Sequence, residues 1–118
     1  MSDLLIDSDV FIDILRGARR VNVSGHAVWY SVITRAELFA GRDTEEPRVR
    51  TVLSPFREIP VDRTIAERGG ALRRTFGMGA ADALIAATAL EHGLQLTTRN
   101  VRDFKKIPGL RLRDPETL

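Results

Sequence analysis

The chain has 118 residues, with 18 Lys and Arg against 16 Asp and Glu, two histidines and no cysteine. That length lets one domain bury about two-thirds of its unfolded surface, so a single domain over residues 1–118 is expected. The missing cysteines exclude disulfides and thiolate zinc sites, and no stretch approaches the length of a membrane span. His26 and His92 are isolated and read as structural or surface groups. The first apolar run is too short for a signal peptide and lacks a basic leader, which predicts a soluble, cytoplasmic protein with no membrane partner. Lys105 and Lys106 are the only lysines, so the basic charge is nearly all arginine. If acids gather in one pocket, the remaining surface is more basic than the net charge of +2 suggests, which suits a polyanionic partner.

The first predicted strand is "LLI" at 4–6, followed by "VFIDIL" at 10–15. Val10, Phe11, Ile14 and Leu15 mark one helical face there, closed by Arg16 and Gly17. "AVWYSVIT" at 27–34 is rich in β-branched and aromatic residues and predicts a strand, running into a short helix, "RAELFAG", that ends at Gly41. In "EEPRVRTVLSPF" the residues Val49, Val52, Leu53 and Phe56 follow helical spacing, and acids stand at the positive end. "REIPV" is a short strand candidate. Asp62 then caps a helix with a buried stripe of Ile65, Ala66, Gly69 and Leu72, interrupted by the glycines of "RRTFGMGA". From Ala81, "ADALIAATALEHG" is apolar nearly all round and predicts a buried helix capped by Gly93. "LQLTT" alternates as a strand, "RNVRDFKKIPG" is a turn-rich basic connection, and "LRLRDP" is a last strand stopped by Pro115. Strands alternating with helices predict a parallel sheet covered on both faces.

In such a sheet, ligands bind at the carboxyl ends of the strands. Asp7 follows the first strand, Glu37 lies in the first turn or so of the helix after the second, and Asp103 lies a few residues beyond "LQLTT". Asp82 reaches the same edge from the N-terminus of its helix, sharing a stripe with Ile85, Ala86 and Ala89. Taken singly, each acid has a plain structural role: Asp7 or Asp9 as a helix cap, Asp82 as an N-cap, Glu37 solvated, Asp103 paired with Arg99 or Lys106. Brought together, they raise one another's pKa unless a cation sits among them. An oxygen-only donor set selects Mg²⁺, or alternatively Mn²⁺, over zinc. Phe11 and Ile12 stand where a calcium EF-hand needs a ligand and a glycine.

The blocks "LLIDSDVFIDIL", "SVITRAELFAG" and "AADALIAATALEHGLQLTTRNVRDFKKIPGLRL" cover well over half the chain. In this order they resemble the PIN-domain ribonucleases, specifically the toxins of VapBC-type toxin–antitoxin modules. The resemblance implies a three-layer α/β/α sandwich around a parallel sheet. It also implies Mg²⁺-dependent endoribonuclease activity, a cognate VapB-type antitoxin that inserts near the acids, and a homodimer or a higher hetero-oligomer with that antitoxin. Carried over residue by residue, Asp7, Glu37, Asp82 and Asp103 would be the catalytic metal ligands. Thr34, Thr98 and Asn100 would support them, and Asp9 would be an auxiliary ligand or a cap. Arg35, Arg99 and Arg102 stand nearest the acids in sequence and are candidates for flanking RNA phosphates. Asp13 reads as a surface or supporting group.

Two rivals are open at this stage. A hydrophobic strand followed by an Asp-x-Asp pair and Val, "DSDV" at 7–10, also resembles the haloacid-dehalogenase-type phosphatases, whose first Asp is a nucleophile. That family needs a lysine before its last acidic motif, and both lysines here follow every candidate acid. The other rival is a non-catalytic RNA- or protein-binding module in which the acids are caps.

Overall fold

The computed structural model of the protein describes residues 3–118; residues 1 and 2 of the expected domain lie outside the described residues. In chain order the elements are β1 (Asp3–Ile6), α1 (Ser8–Leu15), β2 (Ala27–Ser31), α2 (Val32–Phe39), α3 (Glu46–Leu53), β3 (Arg57–Ile59), α4 (Arg63–Phe76), α5 (Ala80–His92), β4 (Gln95–Thr97), α6 (Val101–Phe104) and β5 (Leu112–Arg113), with a 3₁₀ turn at Pro115–Thr117. The strands form one sheet in the order β3-β2-β1-β4-β5, and every pairing is parallel.

The pleat of β1 divides the core. Leu4 and Ile6 pack with Val10 and Phe11 of α1, Leu38 of α2, and Val49 and Leu53 of α3. Leu5 points the other way, to Ile65 and Leu72 of α4, Ile85, Ala86 and Ala89 of α5, and Phe104. Alternate residues of a strand face opposite sides of its sheet, so an unbroken apolar run is what a strand covered on both faces requires. The result is the expected α/β/α sandwich. Gly69 lets α4 and α5 approach closely, since a Cβ there would stand 2.8 Å from Leu84 Cδ2. Among the described residues, no helix is long and apolar enough to cross a membrane.

Several boundaries differ from expectation. The strand predicted to reach Thr34 stops at Ser31, whose side chain accepts from the Ile33 amide at 3.0 Å and caps α2. That local bond outweighs the β preference of Val32 and Ile33. Glu37 therefore sits in the second turn of its helix instead of the first. α1 begins at Ser8 because Asp7 occupies its N-cap position and accepts from the Ser8 amide. α4 runs on to Phe76 and ends at Gly77, in the left-handed region at φ 67°. The basic connection after β4 contains a short helix, α6.

Candidate active site

β1 and β4 lie side by side, yet the chain leaves β1 into α1 on one face and β4 into α6 on the other. This divergence opens a crevice at their carboxyl ends, where doubly wound sheets place their ligands. The Asp7 amide donates to Thr97 O at 3.0 Å, carrying the β1–β4 pairing up to the rim of that crevice.

Asp7 is only 4% exposed. Its Oδ1 accepts from the Ser8 amide at 2.8 Å and its Oδ2 from Thr98 Oγ1 at 2.8 Å. Burial, reinforced by the charge of Asp9 and more weakly by Asp82, pushes its carboxyl up to about 7, against the pull of those two hydrogen bonds. Asp9, one helical step further, accepts from the Arg99 amide at 3.1 Å and lies 3.3 Å from Thr98 Oγ1. Burial also raises its pKa, and its buried Oδ1 has no hydrogen-bond partner. The loop after β4 closes the far side. Asn100 donates its amide to Thr98 Oγ1 at 2.9 Å and its Nδ2 to Asp103 Oδ2 at 3.1 Å.

Asp82 arrives separately, at the third residue of α5. The N-cap position belongs to Gly79 and no side chain caps this helix, so Asp82 is not an N-cap. No hydrogen bond to it is found among the described residues. Its pKa is raised by burial first and then by the charges of Glu37, Asp103 and Asp9. Those couplings tie all the candidate acids into one field, although they come from α1, α2, α5, α6 and the end of β1. Six ion pairs occur among the described residues, and none of them involves Asp7, Asp9, Glu37, Asp82 or Asp103.

As placed, no three His, Cys, Asp or Glu side chains among the described residues are close enough to hold a metal ion. The donor chemistry nevertheless suits a hard divalent cation. All five groups offer carboxylate oxygens, none of them is ion-paired among the described residues, and Asp9 Oδ1 is buried without a partner.

The arginines fall differently from one another. Arg35 donates to Glu58 at 2.5 Å and to Tyr30 Oη at 2.8 Å, so its guanidinium is bound to the β2–β3 side. Arg99 pairs with Asp13 at 3.1 Å, and Asp13 also holds Arg19 at 3.4 Å. Arg102 is exposed and makes no ion pair among the described residues. Asp13, with its side chain 14% exposed, is thus an anchor for two arginines, although its charge also helps to raise the neighbouring Asp9. Thr34 makes no hydrogen bond to Glu37 among the described residues. Ser8 Oγ stands between them, 2.9 Å from Thr34 Oγ1 and 2.6 Å from Glu37 Oε1. Ser8 carries no mark in the sequence beyond its place between two aspartates, directly after the one that ends a buried strand.

Comparison with known proteins agrees with this architecture. The model of the PIN domain matches residues 4–110. Ribonuclease VapC10 of Mycobacterium tuberculosis is 40% identical over 120 residues, covering 92% of this chain and 90% of its own length. Among solved structures, a chain of a toxin–antitoxin complex from Klebsiella pneumoniae superposes with a TM-score of 0.76 at 34% identity, covering 95% of this chain and 97% of that one. A chain of DNA-bound VapBC from Salmonella typhimurium gives 0.81 at 25% identity, with 97% and 98% covered. The chain belongs to the PIN-domain family, in its VapC-type branch. The phosphatase reading of "DSDV" falls with that assignment.

Proposed function

We propose that this protein is a Mg²⁺-dependent endoribonuclease, the toxin of a type II toxin–antitoxin module, hydrolysing RNA phosphodiester bonds at the carboxyl end of its sheet. One observation carries the reading. In a PIN-family chain, five carboxylates share one electrostatic field at the strand ends, and every ion pair among the described residues is made by other acids. Asp7, Glu37, Asp82 and Asp103 are the proposed metal-holding and catalytic residues, and Mn²⁺ is an alternative ion. A divalent ion held by these residues would supply Lewis acidity toward the scissile phosphate and the attacking water.

The chain's own groups orient and hold. Thr98 and the Ser8 amide fix the Asp7 carboxylate, Asn100 steadies Asp103, and α5 presents Asp82 with its positive end behind it. No carboxylate acts as nucleophile. Arg102, exposed and without an ion pair among the described residues, is the foremost candidate for a flanking phosphate, and half-exposed Arg99 the next. Arg35 contributes only if its bond to Glu58 opens. The proposed setting is a single cytoplasmic PIN-like domain, dimeric or assembled with a VapB-type antitoxin, with no membrane partner.

Incubation of the purified protein with total RNA tests this. Cleavage is expected with Mg²⁺, is abolished by chelator, and falls at least about 100-fold in Asp7→Ala and Asp82→Ala, the scale on which charge stabilisation at a reacting centre operates. Undiminished cleavage in both variants rejects the proposal. A non-catalytic module is the second reading, favoured by the spacing of the acids, which is too open to chelate an ion as placed. Thermal melting in a Mn²⁺ titration separates the two, because only a protein that binds the ion gains stability by mass action.

A further inference from the structure

Ser8, the first residue of α1, is 5% exposed and connects acids delivered by different elements. Its backbone N–H donates to Asp7 Oδ1 at 2.8 Å, and its hydroxyl lies 2.6 Å from Glu37 Oε1 and 2.9 Å from Thr34 Oγ1. A serine hydroxyl has a single proton, and an ionised carboxylate only accepts. The proton therefore goes to Glu37, and Thr34 must be the donor to Ser8. The bonds run one way, Thr34 to Ser8 to Glu37, each polarising the next in a region where Ser8 and Thr34 are both buried.

Glu37 needs such a partner. It is exposed, its side chain is long, and arresting its free rotation carries an entropic cost. Among the described residues, no other hydrogen bond or ion pair reaches its carboxylate. We propose that Ser8 is a positioning residue, holding Glu37 of α2 in register with Asp7, the N-cap of α1, so that both face one divalent cation, with Thr34 setting the direction of the hydroxyl. This rests on the metal-dependent reading above. A purely structural Ser8 would merely satisfy the buried Thr34 hydroxyl, and its removal would act on the fold whatever stood at position 37.

A double-mutant cycle distinguishes the two roles. Mn²⁺ affinity is measured by titration calorimetry on the full-length wild type, Ser8→Ala, Glu37→Ala and the double variant, with metal-free melting to establish that each is folded. Supporting groups behind metal ligands typically govern affinity by 10- to 100-fold. Ser8→Ala is expected to weaken Mn²⁺ about 10-fold in the wild-type background and to have no effect once Glu37 is alanine. An equal loss in both backgrounds, or none in either, overturns the proposal. If Ser8→Ala does not fold, the pair Thr34→Val and Thr34→Ser decides: the first loses the donor and should weaken Mn²⁺, while the second keeps it and should retain most of the affinity. Equal affinities for that pair overturn the proposal. A wild-type protein that binds no Mn²⁺ overturns this inference and the metal-dependent reading together. Metal binding and RNA cleavage by the wild type, with no coupling between Ser8 and Glu37, remove this inference alone.

Discussion

Acids at the mouth of the sheet and acids on the rim of the molecule are treated in opposite ways. Asp13, Glu46, Glu58, Glu91 and Glu116 each meet an arginine within 3.4 Å. Asp7 and Asp82 are buried or half-buried, meet none, and have raised pKa values; Asp9, also raised by burial, meets an arginine only through the backbone amide of Arg99, whose charge offsets part of the rise. A chain so rich in arginine had the means to neutralise them. Leaving them bare costs stability in the absence of a cation, and concentrated strain of this kind marks sites where function, not folding, selects the residue.

The contrast breaks most visibly at Asp7. Asp7→Asn should reduce RNA cleavage by about 100-fold or more while leaving the metal-free melting temperature unchanged or higher, because it deletes a buried charge without a counter-ion. Parallel cleavage and melting assays check both halves.

A pH series sharpens it next. With Asp7 near 7 in the folded chain and 3.8 as its ordinary value, the native protein keeps a proton that the unfolded chain has already released. Stability from this group is complete below about pH 4 and is lost as pH rises through about 7, by up to about 4 kcal/mol. Denaturant melts of metal-free protein at pH 5 and 8 should show that decline. Adding Mn²⁺ should reverse it, with a stabilisation larger at pH 8 than at pH 5. At a hundred times its dissociation constant, an ion that binds only the native state contributes about 2.7 kcal/mol.

On the rim the effects shrink. Asp13→Ala removes the partner of both Arg19 and Arg99 from a side chain only 14% exposed, and should cost about 1–2 kcal/mol in a denaturant melt. Its effect on cleavage should be far smaller than that of Asp7→Asn. Glu46→Ala breaks an i,i+4 pair whose side chains are more than half exposed. It should shift stability by less than about 0.5 kcal/mol and leave cleavage at the wild-type rate.

How much of this was legible in the sequence follows from the range of the interactions involved. The buried strand β1, the nearly all-apolar α5 and the parallel alternation of strands and helices are written in local periodicity, and the fold followed from them. The acids at the strand ends followed from topology. The end of β2 did not, because Val32 and Ile33 look like strand residues and only the Ser31 cap reveals the turn into α2. The ion pairs of Arg35 and Arg99 are made with Glu58 and Asp13, partners distant in sequence that nearness to the acids along the chain does not reveal. Ser8 was invisible for a related reason. A serine opening a helix is ordinary, and its bonds to Thr34 and Glu37 exist only once α2 has packed on α1.

The central place of β1 also bears on how the protein is made. The bond from the Asp7 amide to Thr97 O, and that from Thr98 Oγ1 to Asp7 Oδ2, link the start of the chain to residues about ninety positions later. Such distant contacts form late. During synthesis, an Asp7 already outside the ribosome must wait for β4 and the α6 loop before its crevice has a second wall. A nascent chain therefore lacks one wall of this crevice for most of its translation, and the acidic edge of the sheet is among the last parts of the molecule to be completed.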